Sequence, residues 1–215
     1  MDTVVLLIRH GVTNWTEEDR FTGVSNIPLS EIGLNQAQLL SNKLFKSSIS
    51  INAIYSSPLQ RCIDTAKIIA QPYNLDIQIK KEFSELNYGD WEGLSRREIL
   101  QRYPNEFEIW KKDPFIQSPP KGESGKALIE RALPMLTTLL QKHIGELITI
   151  VAHKALNRLL LCWALGIPYE QYRQRIVQYP ACLNVFKVSS NGAVIIYRLN
   201  ETSHYSEEIL LKSIA

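Results

Sequence analysis

Residues 3–11 read TVVLLIRHG. Val4 to Ile8 form an unbroken apolar run without the alternation of a half-exposed strand, so the spacing predicts a strand buried on both faces of a sheet. The run stops abruptly at Arg9-His10-Gly11. Residues 147–153, LITIVAH, repeat the pattern and end in His153. Open α/β sheets bind ligands beyond the carboxyl ends of their strands. Two buried strands that both deliver charged or titratable side chains at that end therefore set the expected architecture.

Outward from these strands the chain alternates. Ser30 caps a helix expected through about Lys46, with Ile32, Ala37, Leu40 and Leu44 on one face. NAIYSS (52–57) reads as a strand. Pro58 is expected in the first turn of the helix that LQRCIDTAKIIAQ forms. DIQIKK (76–81) alternates like an edge strand. Residues 82 to about 122 break the rhythm with aromatics, glutamates and short helical pieces, one opened by the capping box SRRE at 95–98. That region is expected to be an insertion over the rim of the sheet. A long helix near 123–143, bent at Pro134, leads to the 147–152 strand. A helix from about Ala155 to Leu165 follows, closed by Gly166 and Pro168, then the strands NVFKVS and AVIIYRL. The expectation is an α/β fold: a three-layer α/β/α sandwich with a mostly parallel central sheet, helices on both faces, and residues 1–215 as one domain.

Bulk composition narrows the functions. The chain has 215 residues, is 45% hydrophobic and 21% charged, and carries a formal net charge of +2. That is enough for a substantial core and gives no electrostatic case for a nucleic-acid partner. Cys62, Cys162 and Cys182 lie in or beside apolar segments without metal-ligand spacing, as expected for free thiols in a reducing compartment. No run approaches the ~20 apolar residues that a membrane span requires, and the N-terminus lacks a signal pattern. No membrane partner is expected, and a cytoplasmic location is. KGESGK (121–126) ends like a phosphate-binding loop, but Pro120 stands where its first glycine belongs, Ala127 follows the lysine, and no strand precedes it.

Sorting polar residues by the carboxyl-end rule gathers Arg9, His10, Arg61, Glu85 and His153. Singly, each has an ordinary reading: a salt-bridged surface arginine, a satisfied structural histidine, a solvated carboxylate. Together they make chemical sense for a phosphoryl group, which carries nearly two negative charges and several acceptor oxygens. Arginine presents a charged planar fork to those oxygens. Neutral imidazole can attack phosphorus, and a carboxylic acid can protonate the departing alkoxide. Such a site requires no metal or other cofactor. Trp15, Phe21, Tyr88 and Trp91 either wall a pocket there or pack the insertion.

The segments LLIRHGVTNW, RFTGVSNIPLSEIGLNQA, YSSPLQRCIDTA, SELNYGDWEG and IVAHKALNR resemble the histidine phosphatase superfamily, which includes cofactor-dependent phosphoglycerate mutases and their phosphatase relatives. The resemblance spans about residues 4–200, in the family's order. It implies His10 as a nucleophile that becomes phosphorylated, and Arg9, Arg61 and His153 as holders of phosphoryl oxygens. Glu85 is implied as general acid and then base, Thr22 and Gly23 as a loop whose backbone touches substrate, and Thr16 as the occupant of a phosphate-contact position; Tyr88, as a pocket wall, is expected to contact substrate as well. Two positions depart from the family: Thr16 stands where asparagine is common, and Lys154 where glycine usually follows the second histidine. Lys154 is expected to point to solvent.

The short insertion and YGDWEG favour the phosphatase branch, hence a phosphomonoesterase acting on a small phosphorylated metabolite. A phosphoglycerate mutase-type phosphoryl transfer is the alternative, with Lys111-Lys112 as its anion contacts or else a solvated helix end. A catalytically silent binding domain is the third reading. A symmetric homodimer is compatible with the sequence.

Overall fold

The computed structural model describes residues 1–206; residues 207–215 of the expected single domain lie outside the described residues. Six strands form one sheet: β1 (Thr3–Arg9), β2 (Ala53–Ser56), β3 (Ile77–Ile79), β4 (Leu147–Ala152), β5 (Leu183–Val188) and β6 (Val194–Glu201), in the order β3-β2-β4-β1-β5-β6. β1, β2, β3 and β4 run parallel, with Arg9 beside Ala152 and Ser56 beside Val151. β5 pairs antiparallel with both β1 and β6. The mostly parallel expectation holds for four strands. Only β5 runs against the other strands, and β6 pairs antiparallel with it because five residues link the two, too few for the crossover that a parallel pair requires.

The helices are α1 (Asn14–Glu17), α2 (Glu31–Lys46), α3 (Gln60–Ala70), α4 (Arg96–Arg102), α5 (Pro104–Lys112), α6 (Gly125–Lys142), α7 (Lys154–Leu165) and α8 (Tyr172–Arg175). Alternation along β1 divides the core in two, because successive side chains point to opposite faces. Val5 and Leu7 pack with α6 and α7 through Leu128, Leu136, Leu156 and Leu160. Leu6 and Ile8 pack with α2 and α3 through Leu40, Leu44, Ala66 and Ile69.

The local signals mostly set the boundaries. Ser30 caps α2 by accepting from the Gly33 N–H, and Gly166 ends α7 in the left-handed conformation at φ 66°. The Ser95/Glu98 capping box opens α4. Ser124 caps α6, which is the structural role of the KGES stretch. Pro58 does not sit in a helical turn: α3 starts at Gln60 with Leu59 as its cap. Residues 82–122 carry a core of their own, in which Trp91, Ile99, Phe107 and Trp110 are buried. Truncating a fully buried aromatic such as Trp91 to alanine costs about 3–5 kcal/mol.

Candidate active site

The parallel strands β1, β2 and β4 all stop at one edge, and the chain leaving each of them builds the site. Arg9 and His10 leave β1, Ser57 leaves β2 just ahead of Arg61 on α3, and His153 leaves β4 as the cap residue of α7. Gly11 is required here because α2 comes against it: a Cβ at Gly11 would lie 2.4 Å from the Gly33 carbonyl oxygen, and one at Gly33 would lie 2.1 Å from that of Val12. The main chain after the strand thus rests directly on the helix.

His10 is 5% exposed and has a defined tautomer. Its Nδ1 lies 2.6 Å from the Gly11 carbonyl, which can only accept, so Nδ1 carries the hydrogen. Arg61 Nε donates to His10 Nε2 at 3.2 Å, so Nε2 presents its lone pair. Burial, then Arg61, then Arg9, push the His10 pKa well below 6.5 and keep the ring neutral.

Arg61 is fully buried. It also donates to the carbonyls of Ser25 (2.8 Å) and Gly23 (2.6 Å), which ties α3 to the 22–25 loop. That loop is held from the other side by Glu92. Its carboxylate accepts from the N–H groups of Val24 and Ser25, both at 2.8 Å, and from the Ser25 hydroxyl. Sequence reasoning missed Glu92, although it sits inside the quoted YGDWEG segment.

Arg9 donates to the Gln178 carbonyl at 2.7 Å, while its buried Nε has no partner. His153 is fully buried and stands behind His10, ring centroids 5.2 Å apart; its Nε2 is 2.7 Å from the Ser57 hydroxyl. Burial, followed by Arg61 and His10, lowers its pKa well below 6.5.

Glu85 is held at the start of α7. Its carboxylate accepts from the N–H groups of Ala155 (3.0 Å), Leu156 (3.2 Å) and Leu86 (2.9 Å). A carboxylate suits those unpaired amides at a helix N-terminus. Arg131 clamps the chain on which it rides, donating to the carbonyls of Glu82, Ser84 and Glu85.

These groups open on a cavity of about 510 Å³ whose wall includes Arg9, His10, Thr16, Thr22, Gly23, Arg61, Glu85 and Tyr88. The volume lies within the range usual for small-molecule sites. Every anticipated site residue except His153 reaches the wall. Of the four aromatics, Phe21 and Tyr88 line the cavity and stack edge-to-face at 4.8 Å. Trp91 is instead buried in the insertion's core, and Trp15 lies against Gly93.

Lys154 departs from expectation: its exposed side chain faces the cavity, beside Arg158 and Arg173. The Lys111-Lys112 pair is exposed at the end of α5 and is not part of the wall. No group of three or more His, Cys, Asp or Glu side chains among the described residues is placed to hold a metal ion. No helix among them is long and apolar enough to cross a membrane.

Comparison with known proteins places the chain in a family. Phosphoserine phosphatase 1 of Hydrogenobacter thermophilus is 29% identical over 203 residues, covering 94% of each chain. A 2,3-bisphosphoglycerate-dependent phosphoglycerate mutase of Bartonella bacilliformis is 30% identical, covering 99% of this chain and all of the relative. The structure of Bacillus stearothermophilus YhfR superposes with a TM-score of 0.87 at 28% identity, covering 94% of this chain and 98% of that one. The profile of the histidine phosphatase superfamily (branch 1) matches residues 5–202, and the chain belongs to that family.

Proposed function

We propose that this protein is a metal-independent phosphomonoesterase that hydrolyses a small phosphorylated metabolite through a phosphohistidine on His10, with residues 1–215 acting as one unit. The observation that carries the reading is the neutral His10 ring in the wall of an arginine-lined cavity, its unprotonated Nε2 accepting from Arg61 Nε. Nε2 attacks phosphorus, the Nε2–P bond forms as the ester P–O bond breaks, and Glu85 in its protonated form gives its proton to the departing alkoxide. The Gly11 carbonyl at Nδ1 steadies the positive charge that the ring acquires. Water then attacks the phosphohistidine, Glu85 takes its proton, and Nε2 is released with inorganic phosphate. Arg9 and Arg61 stabilise the phosphoryl oxygens, His153 supports the His10 ring from behind rather than touching them, and Thr16, Thr22, Gly23 and Tyr88 contact the substrate. Fixed cations of this kind do the work that a metal ion does elsewhere. The phosphatase among the relatives supports hydrolysis as the outcome. Three buried free thiols support a reducing, cytoplasmic setting.

The mutase relative keeps phosphoryl transfer between two positions of one substrate as the second reading. Phosphate release from p-nitrophenyl phosphate in the presence of a chelator separates the cases. Hydrolysis is expected there, with an acid-labile phosphate on His10 and a loss of more than about 10⁴-fold in His10→Ala. Full activity in that variant, or activity lost to the chelator, sinks the mechanism. Isomerisation of a phosphoglycerate much faster than phosphate release moves the protein to the mutases.

A further inference from the structure

The cavity holds more positive charge than a phosphoryl group calls for. Besides Arg9 and Arg61, its wall carries Lys154, Arg158 and Arg173, whereas its acids are Asp19 and Glu85. Glu85 is already engaged by three backbone amides. Neither Lys154, Arg158 nor Arg173 makes an ion pair among the described residues.

Two of these three cations are held in place, and Lys154 stands exposed beside them. Lys154 and Arg158 lie one turn apart on α7, four residues from each other and therefore on the same helix face. Arg158 Nε donates to the Ile176 carbonyl at 2.6 Å, which fixes α7 to the chain leaving α8. Arg173, on α8, has its guanidinium carbon 4.3 Å from the centroid of the buried Trp110 ring, a cation–π seat supplied by the insertion. Two helices thus converge like charges on one wall, and the insertion seats one of them. The repulsion is registered at Lys154. Arg9 most, then burial, then Arg158 and Arg173, bring its ammonium down to about 7, with Asp19 opposing. Burial, then Arg173 and Arg9, lower Arg158 to about 10.

We propose that Lys154, Arg158 and Arg173 form a second anion subsite, so that the substrate is a phosphomonoester carrying a second anionic group, carboxylate or phosphate, on the same short skeleton. This rests on the first seat being the phosphoryl seat of a phosphatase. The arrangement divides the labour: Arg9, Arg61 and His10 receive the group that is transferred, and the α7–α8 wall grips the end that is kept. A ligand that lacks the second charge leaves three unpaired cations facing each other.

Matched ligands read this directly. 3-Phosphoglycerate and glycerol 3-phosphate differ by a carboxylate against a hydroxymethyl group; fructose 1,6-bisphosphate and fructose 6-phosphate differ by a second phosphate. Binding is measured by calorimetry in the His10→Ala background, which cannot turn the ligands over. At least one doubly anionic member is expected to bind at least about tenfold more tightly than its partner, and the larger of the two preferences identifies the second group. The preference should collapse toward unity in Lys154→Met/Arg173→Met and return in Lys154→Arg with Arg173 intact. Lys154→Met alone, at an exposed position, reads the subsite should the double variant fold poorly. At pH 7 the favoured ligand should also take up a proton, because an anion beside Lys154 raises its pKa, and that uptake should vanish in Lys154→Met. Equal affinities within both pairs, or a preference that survives both variants, overturn the subsite. A retained preference with no phosphate released from any ester by the wild-type protein overturns the hydrolytic reading alone.

Discussion

Two clusters of buried histidine stand at opposite ends of β4, and they differ in every partner. Before the strand, His143 is 7% exposed, with Nε2 2.6 Å from the Tyr55 hydroxyl and Nδ1 2.5 Å from the Glu146 carboxylate. Both nitrogens are committed to neighbours with complementary character, and Thr3 binds its carbonyl as well. After the strand, His10 and His153 face arginines and each other, and no carboxylate bonds to either ring. Burial alone therefore says nothing of function. A histidine whose partners are complete is mortar between strand and helix, whereas one kept neutral among cations is left with an electron pair to use.

The widest separation between the two ends should come from paired substitutions. Arg61→Ala removes the contact to Nε2 together with the tie to the 22–25 loop, and is expected to lower kcat/KM by about 10² to 10³. Arg61→Lys should not restore the rate, since one ammonium cannot reproduce the planar fork that meets His10, Gly23 and Ser25 together. His143→Ala should lower the denaturation midpoint while leaving kcat/KM within a few-fold. A rate loss at His143 comparable with that at Arg61 would erase the distinction.

Glu92→Gln tests the active end at one remove. The residue touches no expected substrate atom, yet it holds the loop whose carbonyls hold Arg61. A loss of about tenfold in kcat is expected, less than for Arg61 itself, because small misplacements of a reacting group can cost up to about 10². An unchanged kcat would show that Arg61 keeps its place without that loop.

The smallest effect is on stability against pH. The folded pKa values of His10 and His153 lie below 6.5, so as pH falls past 6.5 the unfolded chain takes up protons that the folded chain refuses. Stability is thus present above that pH and declines below it, by about 1.4 kcal/mol per pH unit for each histidine. Urea midpoints between pH 7 and 5 measure the slope, and His153→Gln should remove one of the two contributions. A slope that His153→Gln does not alter would contradict its neutral burial.

Much of the active end could be read from sequence because its residues lie where strands stop. Arg9, His10 and His153 follow unbroken apolar runs, and Arg61 and Glu85 sit in short, recognisable contexts. What escaped depends on pairing between distant segments. Glu92 matters through Val24 and Ser25, nearly seventy residues earlier, and Arg173 through Trp110. Lys154 is visible beside His153, but the first residue of a helix can face outward or across, and only the placement of Arg158 and α8 decides. The antiparallel β5–β6 pair was within reach, because a five-residue link could already rule out a crossover. The Pro58 boundary was not, as proline tolerates both the first helical turn and the extended approach to it.

The meeting of Gly11 with Gly33 places an unusual constraint on how this sequence can change. When two side chains crowd each other, shrinking one makes room for the other, so a harmful substitution has a compensating partner. Here each position presses on main-chain atoms, and each already carries the smallest residue available. A substitution at either has no remedy at its opposite number. The histidine that follows β1 is thereby seated beside two positions that no second mutation at a facing side chain can repair.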